Sequence, residues 1–340
     1  MQLKWKETRK LPESTLQEIS TDVMLYMQDL FEHFISQSSD STADAQLFLH
    51  HKLEELLSRK KRENYWKSCL SFVKPQEICL GQDPRGKNES YSYVPVLKVL
   101  EASLANLAVD VHPSQKVTST EYLEDVFDGS AFKNHTFFQG DTEKICIQLY
   151  SDEFEVCDPL GSRRGKQKMV AVYYTVLNTE IEKRSKISSI HLAILAKEKL
   201  VIKYGLKKIF ERFVNDIAEL EKVGIIVDGR VFKGSVFCVT GDNLSQHKLG
   251  GFKCSFSRGR ICRHCMALRH VISWKHRPSE FLERTPAVHQ QHLKLASQGV
   301  SCLPLYGVRG ECAVSFSGFE PTLHLPPDLM HDLRESFHFC

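Results

Sequence analysis

A chain of 340 residues with 42% apolar and 26% charged residues has the composition of a soluble globular protein and can bury one large core or two ordinary ones. A formal net charge of +3 is too small to argue for nucleic acid by itself, so any attraction to phosphate would have to come from local basic patches. No run of 18 apolar residues occurs and residues 1–20 lack the apolar core of a signal peptide, so an intracellular protein without membrane contact is expected. The eleven cysteines then read as thiols or metal ligands rather than a disulfide framework.

In chain order, Leu16, Ile19, Val23, Met27, Leu30, Phe31 and Phe34 recur at spacings of three and four, which predicts an amphipathic helix over 14–36. A polar stretch at 36–44 ends it, and a second helix is expected from Ala45 to about Ser58. Arg59-Lys-Lys-Arg62 follows, either a short nuclear import signal or a solvated helix end. Residues 80–92 read as a loop, Val94 to Val109 as a helix, and 110–140 as a polar, turn-rich linker. This divides the chain into a mainly helical region (1–110), a linker (111–143), a central core (144–245) and a C-terminal part (246–340).

The central core carries the strongest pattern. Residues 144–151, Lys168–Leu177 and Ser188–Leu195 are dense in β-branched and aromatic residues and read as three strands. A helical stripe follows over 198–223, its apolar residues running from Leu200 to Leu220 and ending at Gly224, and Lys233–Thr240 reads as a fourth strand. Three antiparallel strands, a helix and a fourth strand are how an α/β ribonuclease-H-like core begins, and the crossover would set the fourth strand beside the first. Asp152 and Asp242 would then each end a central strand and hold Mg²⁺ or Mn²⁺, the hard cations that oxygen ligands suit. Two such ions roughly 3.5–4 Å apart can activate water and stabilise a leaving oxygen in phosphodiester chemistry. Turn composition is the competing explanation for both aspartates, and Glu155 and Asp158 are rivals to Asp152.

Cys262-Arg-His-Cys265 supplies half of a tetrahedral zinc site, the remaining ligands to come from Cys254, His247, His264, His270, Asp328 or His331. Buried thiols are the plainer alternative, and redox chemistry lacks a thioredoxin-like context. The surrounding Cys254–Arg277 segment is rich in Arg, His and Lys and could meet a phosphate backbone or simply face solvent. A helix is expected after Pro326 with Asp328, His331, Asp332 and Glu335 on one face.

Leu149-Tyr-Ser-Asp-Glu-Phe154, Asp158-Pro-Leu-Gly161, Tyr173-Tyr-Thr-Val-Leu-Asn178, Gly241-Asp-Asn243, Gly250-Gly-Phe252, Cys262-Arg-His-Cys265 and Asp328-Leu-Met-His331 occur in that order. Together, over roughly 144–335, they resemble the DDE-type transposases of the CACTA and Kyakuja–Dileera–Zisupton groups of eukaryotic DNA transposons. The resemblance implies Asp152 and Asp242 as the first two catalytic acids, with the Cys262/Cys265 and Asp328/His331 pairs as the element between the second acid and the third. It also implies DNA as partner, a nuclear location and a homo-oligomer as a further expectation. The third acid departs from the pattern: Glu335 is the one glutamate after His331 and sits close to it, so a truncated or domesticated copy with impaired activity is expected. A non-catalytic zinc-containing module that binds nucleic acid or protein is the alternative.

Overall fold

The computed structural model describes residues 60–61, 64, 72–106, 122–140, 144–156, 168–272, 274–275 and 277–328. The chain divides into two compact units, Met1–Val73 and Lys74–Cys340. The helices expected over 14–36 and from Ala45 to about Ser58 lie outside the described residues, and of the basic run Lys60 and Lys61 are seen, exposed and helical.

The second unit is mixed α/β. Its strands are β1 (Gln76–Gln82), β2 (Asn88–Tyr93), β3 (Lys144–Glu155), β4 (Lys168–Val176), β5 (His191–Lys197), β6 (Ile225–Val227) and β7 (Arg230–Gly241). They form one seven-stranded sheet in the order β1-β2-β5-β4-β3-β7-β6. Strands β3, β4 and β5 run antiparallel in succession, whereas β7 returns parallel to β3. The connection needed to bring β7 back in the same direction holds a short helix, Glu198–Tyr204, and a long one, Leu206–Lys222. The helix expected over 198–223 is thus two helices, because Gly205 between them takes φ +83, a conformation that ends helical hydrogen bonding and favours glycine.

Helices named from here are α1 (Val96–Asn106), α2 (Leu206–Lys222), α3 (Asn243–Leu249) and α4 (Pro286–Ser297). Alternation along β3 sends Ile145, Ile147 and Leu149 to one face, where they join Ile209, Phe210, Phe213, Ile217 and Leu220 of α2 in the main core. Each such side chain contributes roughly 1.5–3 kcal/mol by leaving water. Cys146 points to the opposite face and packs with Phe138, Leu177, Phe237 and Cys238.

Three differences from the sequence reading bear on the site. Residues 80–92 are not a loop: Asp83 accepts hydrogen bonds from Arg85 N and Lys87 N at 2.8 and 2.9 Å, making a tight turn between β1 and β2. The polar residues of Asn88–Ser92 hide the strand, but Tyr91 and Tyr93 alternate into the core and the Tyr93 hydroxyl donates to Asp216 of α2 at 2.6 Å. Residues 122–140 are also more than a linker, since Phe127, Phe132, Phe137 and Phe138 cap the second face of the sheet around Phe237. Their spacing matches neither the helical nor the strand period, so the pattern did not reveal them. Finally, β3 runs four residues past its expected end, because Asp152–Glu155 pair with Ala171–Lys168 of β4. Among the described residues no helix is long and apolar enough to cross a membrane.

Candidate functional site

Asp152 and Asp242 come together through strand register. Ser151 lies opposite Gly241 in the parallel β3–β7 pair, and the residue after each of them is an aspartate. Gln148, Tyr150 and Asp152 share a face of β3, the face that Thr240 takes on β7 opposite Tyr150. Gln148 marks that face by donating to Thr240 Oγ1 at 3.1 Å. Gly241 permits the approach, because a Cβ there would lie 2.6 Å from the Ser151 carbonyl oxygen. Asp152 therefore sits inside β3 rather than beyond its end, while Asp242 directly follows β7 and caps α3, accepting from Ser245 N at 2.6 Å. Asp152 Oδ1 accepts from Glu153 N at 2.8 Å, and Glu153 is ion-paired with Lys248 of α3. Both aspartates are half-buried.

The electrostatics of this face register at two tyrosines. Burial first, and then the charges of Asp152, Asp328 and Asp242, raise the Tyr150 hydroxyl above its ordinary range. Burial and Asp152 do the same at Tyr173, the residue opposite Tyr150 on β4. Two adjacent carboxylates repel unless a cation or proton relieves them. Mg²⁺ fits this donor set, since it commonly keeps its waters and takes one or two protein carboxylates plus substrate phosphates. Among the described residues no three His, Cys, Asp or Glu side chains gather in one metal-holding group. Glu335 and His331 lie outside the described residues, and Asp328, also half-buried, is placed near enough to the acids to act on the same tyrosine.

Cys262 and Cys265 do meet. The Cys265 thiol donates to Cys262, and His264 N donates to Cys262 Sγ at 3.3 Å; this holds the Cys262 thiol well below its ordinary range. Arg284, 1% exposed, lies in the field of both sulfurs and donates to the Cys262 and Tyr306 carbonyls at 3.2 and 2.8 Å. Burial lowers its guanidinium to about 10, and Nε and Nη1 have no partner among the described residues. Two thiols supply half of a tetrahedral zinc set. Of the other candidates, His247 Nδ1 lies 2.7 Å from the Lys253 carbonyl, His264 Nδ1 3.2 Å from the Thr322 carbonyl, and Cys254 Sγ 3.5 Å from the Phe252 carbonyl.

Sequence reasoning missed Arg263, Arg284 and Tyr150. Arg263 stood inside the Cys262–Cys265 motif and Tyr150 two residues before Asp152, so proximity to a motif was their signal; Arg284 carried none. A cleft of about 840 Å³ lies elsewhere, lined by residues such as Lys207, Glu211, Val214, Cys312 and Phe319, and neither acid borders it. No protein-family model matches the chain, and no curated protein matches it significantly.

Proposed function

We propose that this chain is a transposon-derived DNA-binding protein with a ribonuclease-H-like domain, whose acidic site engages phosphodiester groups through Mg²⁺ or Mn²⁺. The observation that carries this reading is the Ser151↔Gly241 pairing of two adjacent parallel strands, which is followed by Asp152 on one and Asp242 just past the other, in a sheet whose β5-β4-β3-β7 order follows from three antiparallel strands and a helical crossover. When bound, the divalent ion supplies an activated water and a stabilised leaving oxygen. The chain's own residues hold it: Asp152 from a strand interior and Asp242 from a helix start, each with one oxygen already fixed by a backbone N–H. Tyr150 (39% exposed) and Phe154 (40% exposed) share the face of Asp152 and offer rings on which unstacked bases could rest. DNA, a nuclear location and self-association belong to this proposal, with zinc at Cys262 and Cys265 as a structural support. Glu335 remains the proposed third acid and His331, with Asp328, the proposed completion of the metal set.

The test is Mn²⁺-dependent binding and cleavage of DNA by the full chain. Asp152→Ala and Asp242→Ala are each expected to abolish Mn²⁺ binding and reduce any cleavage at least about 100-fold. Wild-type DNA binding that both variants retain, with no Mn²⁺ uptake, would instead support the zinc-containing interaction module. The contact between Cys262 and Cys265 favours that second reading, and zinc content lost in Cys262→Ser would identify it.

A further inference from the structure

Arg263 stands between the two cysteines, yet its side chain leaves that loop altogether. It is 4% exposed, and its guanidinium donates in three directions. Nε bonds the Leu325 carbonyl at 2.9 Å, Nη2 the Pro326 carbonyl at 2.7 Å, and Nη1 the Asn243 Oδ1 at 2.9 Å. Asn243 directly follows Asp242 and opens α3, while Leu325 and Pro326 lie three and two residues before Asp328. Leu325 itself is fully buried in the main core, and a Cβ added at Gly250, beyond the far end of α3, would lie 2.6 Å from its Cδ1. The segment carrying Asp328 therefore departs from a point anchored on one side by apolar packing and on the other by Arg263.

Burying a guanidinium is costly unless its donors are engaged, and a rigid planar fork can serve three separated acceptors as a lysine cannot. All three acceptors here belong to the two segments that flank the acidic site. We propose that Arg263 is a positioning residue for that site: it fixes the helix start that bears Asp242 and holds the segment that carries Asp328 nearby, as an outer carboxylate acting through its charge rather than as a third ligand. The Cys262–Cys265 loop and the acid pair then form one mechanical unit. A change at the cysteines, such as loading with zinc, reaches the acids through Arg263. This inference rests on the acidic-site reading above.

The experiment is a Mn²⁺ titration of the full chain followed by electron paramagnetic resonance, with thermal unfolding of the same samples. The proteins are wild type, Asp152→Asn, Asp328→Asn, Arg263→Lys, Arg263→Gln and the Arg263→Gln/Asp328→Asn double variant. Asp152→Asn should abolish binding and Asp328→Asn weaken it about tenfold without lowering the unfolding temperature. Arg263→Gln should weaken it by about 10–100-fold, in the manner of an outer-shell partner, with an altered Mn²⁺ spectrum. Arg263→Lys should fail to restore wild-type affinity. The double variant should bind no more weakly than Arg263→Gln alone, because both changes remove the same carboxylate. A folded Arg263→Gln or Arg263→Lys protein with wild-type Mn²⁺ affinity overturns the proposal while the acidic-site reading stands. Wild-type affinity in Asp328→Asn does the same even if the Arg263 variants fail to fold. A wild-type protein that takes up no Mn²⁺ removes both.

Discussion

The acidic site and the cysteine site are built by different means. Asp152 and Asp242 are brought near each other because two strands pair in one register, with Ser151 opposite Gly241, so backbone pairing sets the framework of their placement. Cys262 and Cys265 lie in a stretch of short helices and isolated bridges such as Arg260↔Leu268 and Cys265↔Glu283. There, side chains organise the backbone: Arg284 bonds the Cys262 and Tyr306 carbonyls, and Arg263 bonds those of Leu325 and Pro326. The contrast teaches where each half is vulnerable. Removing a carboxylate from the sheet should leave the fold intact, whereas removing a buried arginine should undo the region it holds.

The largest expected effect tests that contrast directly. Arg284→Ala removes a buried side chain and leaves two carbonyls unpaired, and should cost about 3–5 kcal/mol in a urea titration. A loss under about 1 kcal/mol would mean that the cysteine half is held by something other than its arginines.

Acid should separate the halves next. His247, His289 and His324 are all buried in the C-terminal part, and burial holds each imidazole down at about 4, against an ordinary 6.5. Their unfolded forms take up protons first, so stability is full above pH 6.5 and falls as the pH drops towards about 4. The expected slope is on the order of 1 kcal/mol per pH unit for each histidine. Urea midpoints measured between pH 7 and pH 5 should shift accordingly, and His289→Phe should flatten the curve. An unchanged slope in that variant would place the titration elsewhere.

The smallest effect sharpens the comparison from the other side. Asp152→Asn relieves repulsion with Asp242, so without divalent ions it should leave stability within about 1 kcal/mol of wild type, or slightly above it. Adding Mn²⁺ should then raise the unfolding temperature of the wild type but not of the variant. Equal stabilisation of both would show that the ion binds at another place.

Much of the central sheet was legible because its residues obey a simple period. Ile145, Ile147 and Leu149 alternate, and Ile209, Phe213, Ile217 and Leu220 recur at helical spacing, so strands and crossover helix could be read along the chain. The β1–β2 hairpin escaped because its strands are short and polar, and only the bond from Tyr93 to Asp216 and the pairing of β2 with β5 give them a place. The phenylalanines of 127–138 escaped because they serve a face of the sheet rather than a period of their own.

Sequence by itself determined the order of the central strands β3, β4, β5 and β7 with helix between, the two aspartates as candidate acids and the short spacing of Cys262 and Cys265, since these depend on local pattern. The tertiary structure decided the rest. Register across β3 and β7 set which residue faces which, and the reach of Arg263 joined the cysteine loop to Asn243 and to the segment before Asp328. Strand pairing and a buried guanidinium act between residues far apart in the chain, and no local pattern encodes the geometry at which such residues meet.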